Sequence, residues 1–171
     1  MGKSKIVERL FFYVKIIIEV IMKKIFIYYS LSGNGDKVAN YLMSKGIDIR
    51  KVLLKKPFPT SKFGSIMKGG FLATINHKSK LLDFNNDVSS YDEIIIGSPI
   101  WNSRLSCPIN TVLSKIDLDN KKLTFILYSA SGNDNKAMER IKELYKDAKI
   151  INLLEPNKNE ELMKERIDNE L

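Results

Sequence analysis

The chain of 171 residues holds one cysteine, Cys107, and one histidine, His77. A single thiol excludes an internal disulfide framework and a cysteine-based zinc site. It suits a reducing compartment, so a cytoplasmic location is expected. A single imidazole is too little for a His-rich metal centre or a Ser-His-Asp triad, and no metal is expected. His77 lies in the polar run Asn76-His77-Lys78-Ser79-Lys80 and reads as a surface residue. Cys107 precedes Pro108 at a predicted helix start, where a thiolate can be stabilised. A lone cysteine there is more simply a small buried apolar residue. Several phosphate and catalytic signatures are also missing. There is no G-x-x-x-x-G-K-[ST] loop, no G-x-S-x-G elbow and no acidic pair after the first strand. Gly33-x-Gly35 has Val38 where a third glycine would complete a dinucleotide fingerprint. No apolar run is long enough to span a bilayer, since Lys15 and Glu19 interrupt the stretch Phe11–Ile21. No small-residue cleavage site follows that stretch, so a signal peptide is not expected.

The length suits one domain with a sizeable core. The apolar fraction of 44% and charged fraction of 28% are ordinary for a soluble protein. The formal net charge of +8 is read as lysines spread over solvated faces. Without an Arg-rich tract or interleaved basic and aromatic residues, no nucleic-acid partner is expected. Met22 opens a stretch suited to a protein's start. The reading is therefore a domain over residues 22–171 preceded by an extension over 1–21. Val7, Leu10, Val14, Ile17 and Ile21 recur at spacings of 3 and 4 within that extension, which gives a helical stripe of undetermined role. The oligomeric state is left open.

From Lys23 onward strand and helix signals alternate. Ile25–Tyr29, Ile47–Leu54, Tyr91–Gly97, Lys122–Tyr128 and Lys149–Leu153 read as strands. Helices are predicted from near Asp36 to Gly46, over a bent segment within 60–82, over Leu105–Ile116 with Pro108 in the first turn, over Asp134–Lys146, and after Asn157. Asn157 with Glu160 three residues on has the spacing of a capping box. Such alternation implies a parallel sheet with helices on both faces. Ligands in that architecture bind at the carboxyl edge of the sheet.

Three Gly/Ser-rich loops follow strands and so share that edge. The first, Ser30-Leu31-Ser32-Gly33-Asn34-Gly35, runs into a helix start near Asp36. Free N–H groups and the helix dipole favour an anion there. Ser30, Ser32 and Asn34 add donors, while Gly33 and Gly35 let the backbone approach a ligand. The second, Ser98–Arg104, carries Pro99, Ile100, Trp101 and Asn102. Trp101 is a flat platform for an aromatic ligand, or else folds back onto the core. The third, Ser129–Asn133, offers the N–H groups of Ser131, Gly132 and Asn133 to the polar edge of a ring. A phosphate next to a flat, hydrogen-bonding ring describes a mononucleotide, and FMN best.

These motifs resemble the flavodoxin family over most of residues 23–155. Tyr28, Ser30, Gly33, Ala39 and Leu42 fit that family's phosphate-loop string, with Gly35 where a Thr is usual. Gly97-Ser98-Pro99-Ile100-Trp101-Asn102-Ser103-Arg104 looks like the second flavin loop of a flavodoxin subgroup, with Ser103 in place of a Gly. Asn102 tolerates positive φ better than most residues, which suits a loop whose peptide flips in flavodoxins. Ser129-Ala130-Ser131-Gly132 is close to the subgroup's third loop and lacks the Tyr that covers the outer flavin face in many members. The resemblance implies an α/β three-layer sandwich with a five-stranded parallel sheet in the order 2-1-3-4-5. It also implies FMN as cofactor and electron transfer with a redox partner protein. Flavodoxins are usually acidic and this chain is basic, so an acidic partner is the physical expectation. Two other readings stay open: an FMN-dependent oxidoreductase acting on NAD(P)H or a quinone, and a flavin-free interaction module.

Overall fold

The computed structural model describes residues 22–58 and 78–171, together with Val7, Phe12 and Val14. The helix expected within 60–82 therefore falls mostly outside the described residues, as does most of the 1–21 stripe. Five strands form one parallel sheet: β1 (Lys24–Tyr28), β2 (Asp48–Lys51), β3 (Glu93–Pro99), β4 (Lys122–Ser129) and β5 (Lys149–Leu154). Their order is β2-β1-β3-β4-β5, as the resemblance implied. Among the described residues the helices with set bounds are α1 (Asn34–Ser44), α2 (Cys107–Leu113), α3 (Asn135–Leu144) and α4 (Glu160–Glu170).

The central strands are apolar on both faces, and this divides the core into two layers. Ile25, Ile27, Ile94, Ile96, Phe125 and Leu127 point to one face, where Ile109 and Val112 of α2 and Ile141 of α3 cover them. Phe26, Tyr28, Ile95, Ile126, Tyr128 and Ile151 point to the other, under Val38 and Leu42 of α1 and Met163 and Ile167 of α4. Continuous apolar runs are what a parallel sheet buried on both sides requires. α1 ends in a Schellman motif, with Gly46 N–H on Met43 O at 3.0 Å and Ile47 N–H on Leu42 O at 3.2 Å. That motif turns the chain straight into β2.

β2 is shorter than the predicted Ile47–Leu54. Val52 N–H still donates to Tyr28 O at 2.7 Å, but Leu54 then pairs antiparallel with Leu81. The chain thereby leaves the sheet over its carboxyl edge. At the opposite edge, the fully buried Glu93 carboxylate sits between Lys24 (3.4 Å) and Lys122 (3.3 Å) and accepts a bond from Thr124 Oγ1 at 2.8 Å. This pairing satisfies a charge that would be costly to bury alone.

Candidate functional site

The loops after β1, β3 and β4 meet at the carboxyl edge of the sheet. Main-chain bonds tie them to neighbouring strands: Tyr29 N–H to Gly97 O (3.1 Å), Ile100 N–H to Tyr128 O (3.2 Å) and Glu155 N–H to Ser129 O (3.1 Å).

In the first loop, Gly33 is the N-cap of α1, with φ 87° and no side-chain cap on the helix. Other residues pay about 1–2 kcal/mol in that left-handed region. The first intrahelical bond is Lys37 N–H to Gly33 O at 3.0 Å. The N–H groups of Asn34, Gly35 and Asp36 therefore have no acceptor within the helix. Ser30 Oγ is buried and has no partner in hydrogen-bonding geometry. A buried hydroxyl left unpaired costs about 1–3 kcal/mol, a cost that a ligand's acceptor would relieve. An orphaned hydroxyl beside uncapped helix N–H groups fits an anion of phosphate size.

The Asp36 carboxylate is committed elsewhere. It accepts from Tyr28 Oη at 2.8 Å and pairs with Lys51 Nζ at 2.6 Å. Burial pushes its pKa up, but the bonds to Lys51 and Tyr28 and the nearby Ser30 hydroxyl outweigh this and hold it below the usual carboxylate range. What Asp36 leaves for the loop is its backbone N–H. Burial, and then the bond to Asp36, raise the pKa of the Tyr28 phenol, so it remains a donor.

Gly35, where a Thr was expected by family resemblance, is explained by close approach. A Cβ at this position would lie 2.5 Å from Tyr128 Oη and 2.9 Å from Tyr28 Cδ2. The space of the Thr side chain is taken by Tyr128, whose buried hydroxyl donates to Tyr29 O at the root of the loop. Burial drives the pKa of that phenol far up, which keeps it protonated for this bond.

Asn157, whose spacing suggests a cap of the last helix, lies instead against the first loop. It does not cap α4: the N-cap is Asn159, which makes no side-chain cap bond and turns its Nδ2 back to Leu154 O at 2.9 Å. Asn157 instead clamps the first loop. Its Nδ2 donates to Ser32 O at 2.8 Å, and its N–H donates to Asn34 Oδ1 at 3.0 Å. Asn34 in turn donates to Ser32 Oγ at 3.3 Å. These partners lie more than 120 residues apart, so no local signal points to the contact.

The second loop is a two-residue hairpin. Trp101 and Arg104 exchange both main-chain bonds, at 2.9 and 3.1 Å, and Ile100 pairs antiparallel with Leu105. Asn102 and Ser103 have φ of 49° and 54°. Two successive positive φ values are those of a type I′ turn, which favours Asn-Gly. Arg140 Nη1 of α3 grips Ser103 O at 2.6 Å. The Trp101 ring turns inward and is only 9% exposed. It packs edge-on against Tyr29 (5.9 Å, 82°) and Phe58 (5.1 Å, 76°). Asn102 is exposed at the hairpin tip, and Pro99 and Ile100 are half-buried. Cys107 is buried, and burial pushes its thiol pKa up, in keeping with a small buried apolar residue.

In the third loop, the Gly132 N–H is spent internally on Ser129 Oγ at 3.2 Å. Ser131 Oγ donates to Asn133 O at 2.8 Å, which holds the turn. Ser131 and Asn133 are exposed.

The arrangement is a phosphate-sized cradle, an aromatic-backed hairpin and a polar loop on one edge of a β2-β1-β3-β4-β5 sheet. The flavodoxin profile matches residues 23–170. The chain belongs to the flavodoxin family. None of the curated protein sequences matches it significantly. Among solved structures it is similar to a candidate flavoprotein from Bacteroides eggerthii DSM 20697, at 16% identity and a TM-score of 0.68, over 87% of this chain and 98% of that one. A candidate flavoprotein from Bacteroides uniformis ATCC 8492 matches at 17% identity and 0.69, over 86% and 98%. A flavoprotein from Lactobacillus acidophilus NCFM, solved in complex with FMN, matches at 21% and 0.59, over 82% and 97%. These likenesses show the fold.

A groove of about 740 Å³ lies at the far edge of the sheet, lined by residues that include Lys24, Lys45, Asp48, Asp168 and Leu171. None of the candidate cofactor-binding residues lines it. Among the described residues, no group of three or more His, Cys, Asp or Glu is placed to hold a metal, and no helix is long and apolar enough to cross a membrane.

Proposed function

We propose that this flavodoxin-family chain binds FMN and carries electrons between redox proteins. The observation that carries the reading is the first loop: a buried, unpartnered Ser30 hydroxyl beside the uncapped N-terminus of α1. Ser30 Oγ has no hydrogen-bond partner by geometry, with the Asp36 carboxylate as its nearby charge, and the first N–H groups of α1 have no acceptor within the helix; a phosphate supplies one. The FMN bound by the similar Lactobacillus acidophilus protein supports the choice of ligand.

In this reading Ser30, Ser32, Gly33, Asn34, Gly35 and Asp36 hold the phosphate, the last two through backbone N–H groups. Asn157 keeps that loop in shape by binding Ser32 O and Asn34 Oδ1. Pro99, Ile100, Trp101 and Asn102 border the ring, and Trp101 stiffens the hairpin through Tyr29 and Phe58. Ser131 and Asn133 meet the polar edge of the ring. Gly132 contributes by shaping the turn, since its own N–H is already used. Bound FMN supplies the redox chemistry, and the protein's part is to bind it and tune its potential.

The loop Ser129–Asn133 carries no aromatic residue to lie over a ring. This favours, as a second reading, an oxidoreductase that admits NAD(P)H or a quinone to the ring face. Purification followed by two measurements separates the readings. A bound chromophore absorbing near ~450 nm and slow turnover of NAD(P)H with a quinone support the carrier. Rapid turnover by the isolated protein supports the enzyme, and failure to take up FMN refutes both.

A further inference from the structure

The net charge is not spread evenly along the chain. Between Ile49 and Leu82 there are eight Lys and Arg and no Asp or Glu; with 28 basic and 20 acidic residues in all, this block carries the whole +8. The remaining 137 residues hold 20 of each sign (28 − 8 = 20) and are neutral together.

The described part of this block lies beside the candidate site. Lys51 at the end of β2 pairs with Asp36 of the first loop, and Val52 N–H bonds Tyr28 O at 2.7 Å. Phe58 joins Tyr29 and Trp101. Between these two anchors, residues 53–55 run antiparallel to 80–82, with Lys55 N–H on Lys80 O at 3.0 Å and Leu82 N–H on Leu53 O at 2.8 Å. Ser79 N–H is fixed to Thr111 Oγ1 of α2 at 2.7 Å. The pairing sets Lys55 opposite Lys80, with Lys56 and Lys78 next along the two segments; all four are exposed.

None of these four makes an ion pair with a described residue. Lysines on the α1 and α4 side behave differently. Lys37 meets Glu160 at 2.8 Å, Lys45 meets Asp168 at 2.6 Å, and Lys164 meets Glu160 and Glu161 at 3.1 and 3.0 Å. Lys51 beside the site is paired with Asp36, but Lys55, Lys56, Lys78 and Lys80 have no such partner among the described residues. Leu53 and Leu82 stand 48% and 43% exposed within the patch. An open, cation-rich face with an apolar centre fits a protein surface better than an enclosed small anion.

We infer that Leu53, Lys55, Lys56, Lys78, Lys80 and Leu82 form the docking surface for an acidic electron-carrier protein. The inference rests on the proposed function for the reason that the patch borders the site. Uncompensated charge of one sign at a site raises association rates with the opposite sign by about 10–10³-fold, and salt screens it over about 8–10 Å.

The test uses the full-length, ¹⁵N-labelled, FMN-loaded protein and an oxidised, acidic [2Fe–2S] ferredoxin as the probe. At low salt the amide signals of Leu53, Lys55, Lys56, Lys78, Lys80 and Leu82 shift on titration. The affinity falls at least about tenfold on going to physiological salt. Changing Lys55, Lys56, Lys78 and Lys80 together to Glu lowers ferredoxin affinity about 10–100-fold and leaves the Kd for FMN unchanged. A quadruple Gln variant gives an intermediate loss and guards against a folding defect in the Glu variant. Shifts that map to another face overturn the inference. So does binding of a basic cytochrome c at the patch, or tighter binding of phosphatidylserine vesicles or single-stranded RNA than of ferredoxin at the same salt. Should the protein take up no FMN, the functional reading falls, and the same titration of the apoprotein still decides whether the patch docks an acidic protein.

Discussion

Replacing Ser30 with Ala should move stability and cofactor affinity in opposite directions. In the apoprotein Ser30 Oγ is buried and without a hydrogen-bond partner. Removing an unsatisfied buried hydroxyl relieves a cost of about 1–3 kcal/mol, offset by a small void and by the hydroxyl's minor part in lowering the Asp36 pKa. The expected net change is zero to about +1 kcal/mol, which raises Tm by no more than about 4 °C for a chain of this size. When a phosphate is bound the same hydroxyl donates to a charged acceptor, a bond worth about 1.5–3 kcal/mol. Ser30→Ala should therefore raise the Kd for FMN by about 10–150-fold. Thermal denaturation of the apoprotein and titration of FMN by loss of flavin fluorescence measure the two quantities. A clear fall in apoprotein Tm would mean that the hydroxyl has a structural partner. An unchanged Kd would mean that the phosphate is held elsewhere. Either result refutes the reasoning.

Further predictions follow from neighbouring contacts. Gly35→Thr restores the residue usual in the family, yet its Cβ meets Tyr128 Oη at 2.5 Å. It should destabilise the protein by about 1–3 kcal/mol in urea denaturation, and adding Tyr128→Phe should recover part of the loss. Ser103→Gly removes a strained φ of 54° from the hairpin tip and should stabilise by about 0.5–1 kcal/mol, read as a higher Tm. Lys51→Met removes the strongest partner of Asp36. A carboxyl with a lowered folded pKa adds stability above its unfolded value of about 3.9, and this is lost as the pH falls through the folded value. The variant should thus be less stable than the wild type at neutral pH, by under about 1 kcal/mol for so exposed a pair, with the gap closing below about pH 4. Urea denaturation across pH, with the Asp36 carboxyl followed by NMR, checks this.

The parts of the fold that local chemistry decides were legible in the sequence. Short β-branched apolar runs such as Ile94-Ile95-Ile96 suit strands buried on both faces, and Gly46 stops α1 because its closing bonds need that turn. The first loop was legible because hydroxyls and glycines before a helix start leave donors free. Contacts made across the chain were not legible. Asn157 has the spacing of a local cap, but its bonds go to Ser32 and Asn34. Gly35 departs from the family's usual Thr, and only the position of Tyr128 accounts for it. The hairpin at Asn102-Ser103 was hidden because its turn lacks the Gly that usually signals it. Trp101 has the composition of a ligand platform, and only the positions of Tyr29 and Phe58 reveal that it is buried between them. The charge asymmetry lay in the sequence throughout. It gained meaning when the pairing of 53–55 with 80–82 put its lysines together beside the site.

The central claim is that the loop after β1 is a phosphate site whose occupant is FMN. Comparing the affinities of the apoprotein for FMN and for riboflavin, which differ by the phosphate alone, tests it most directly. With the Ser30 hydroxyl and the N–H groups of Asn34, Gly35 and Asp36 donating to the phosphate, FMN should bind at least about 100-fold more tightly than riboflavin. Equal affinities for the two, or no binding of either, would contradict the account.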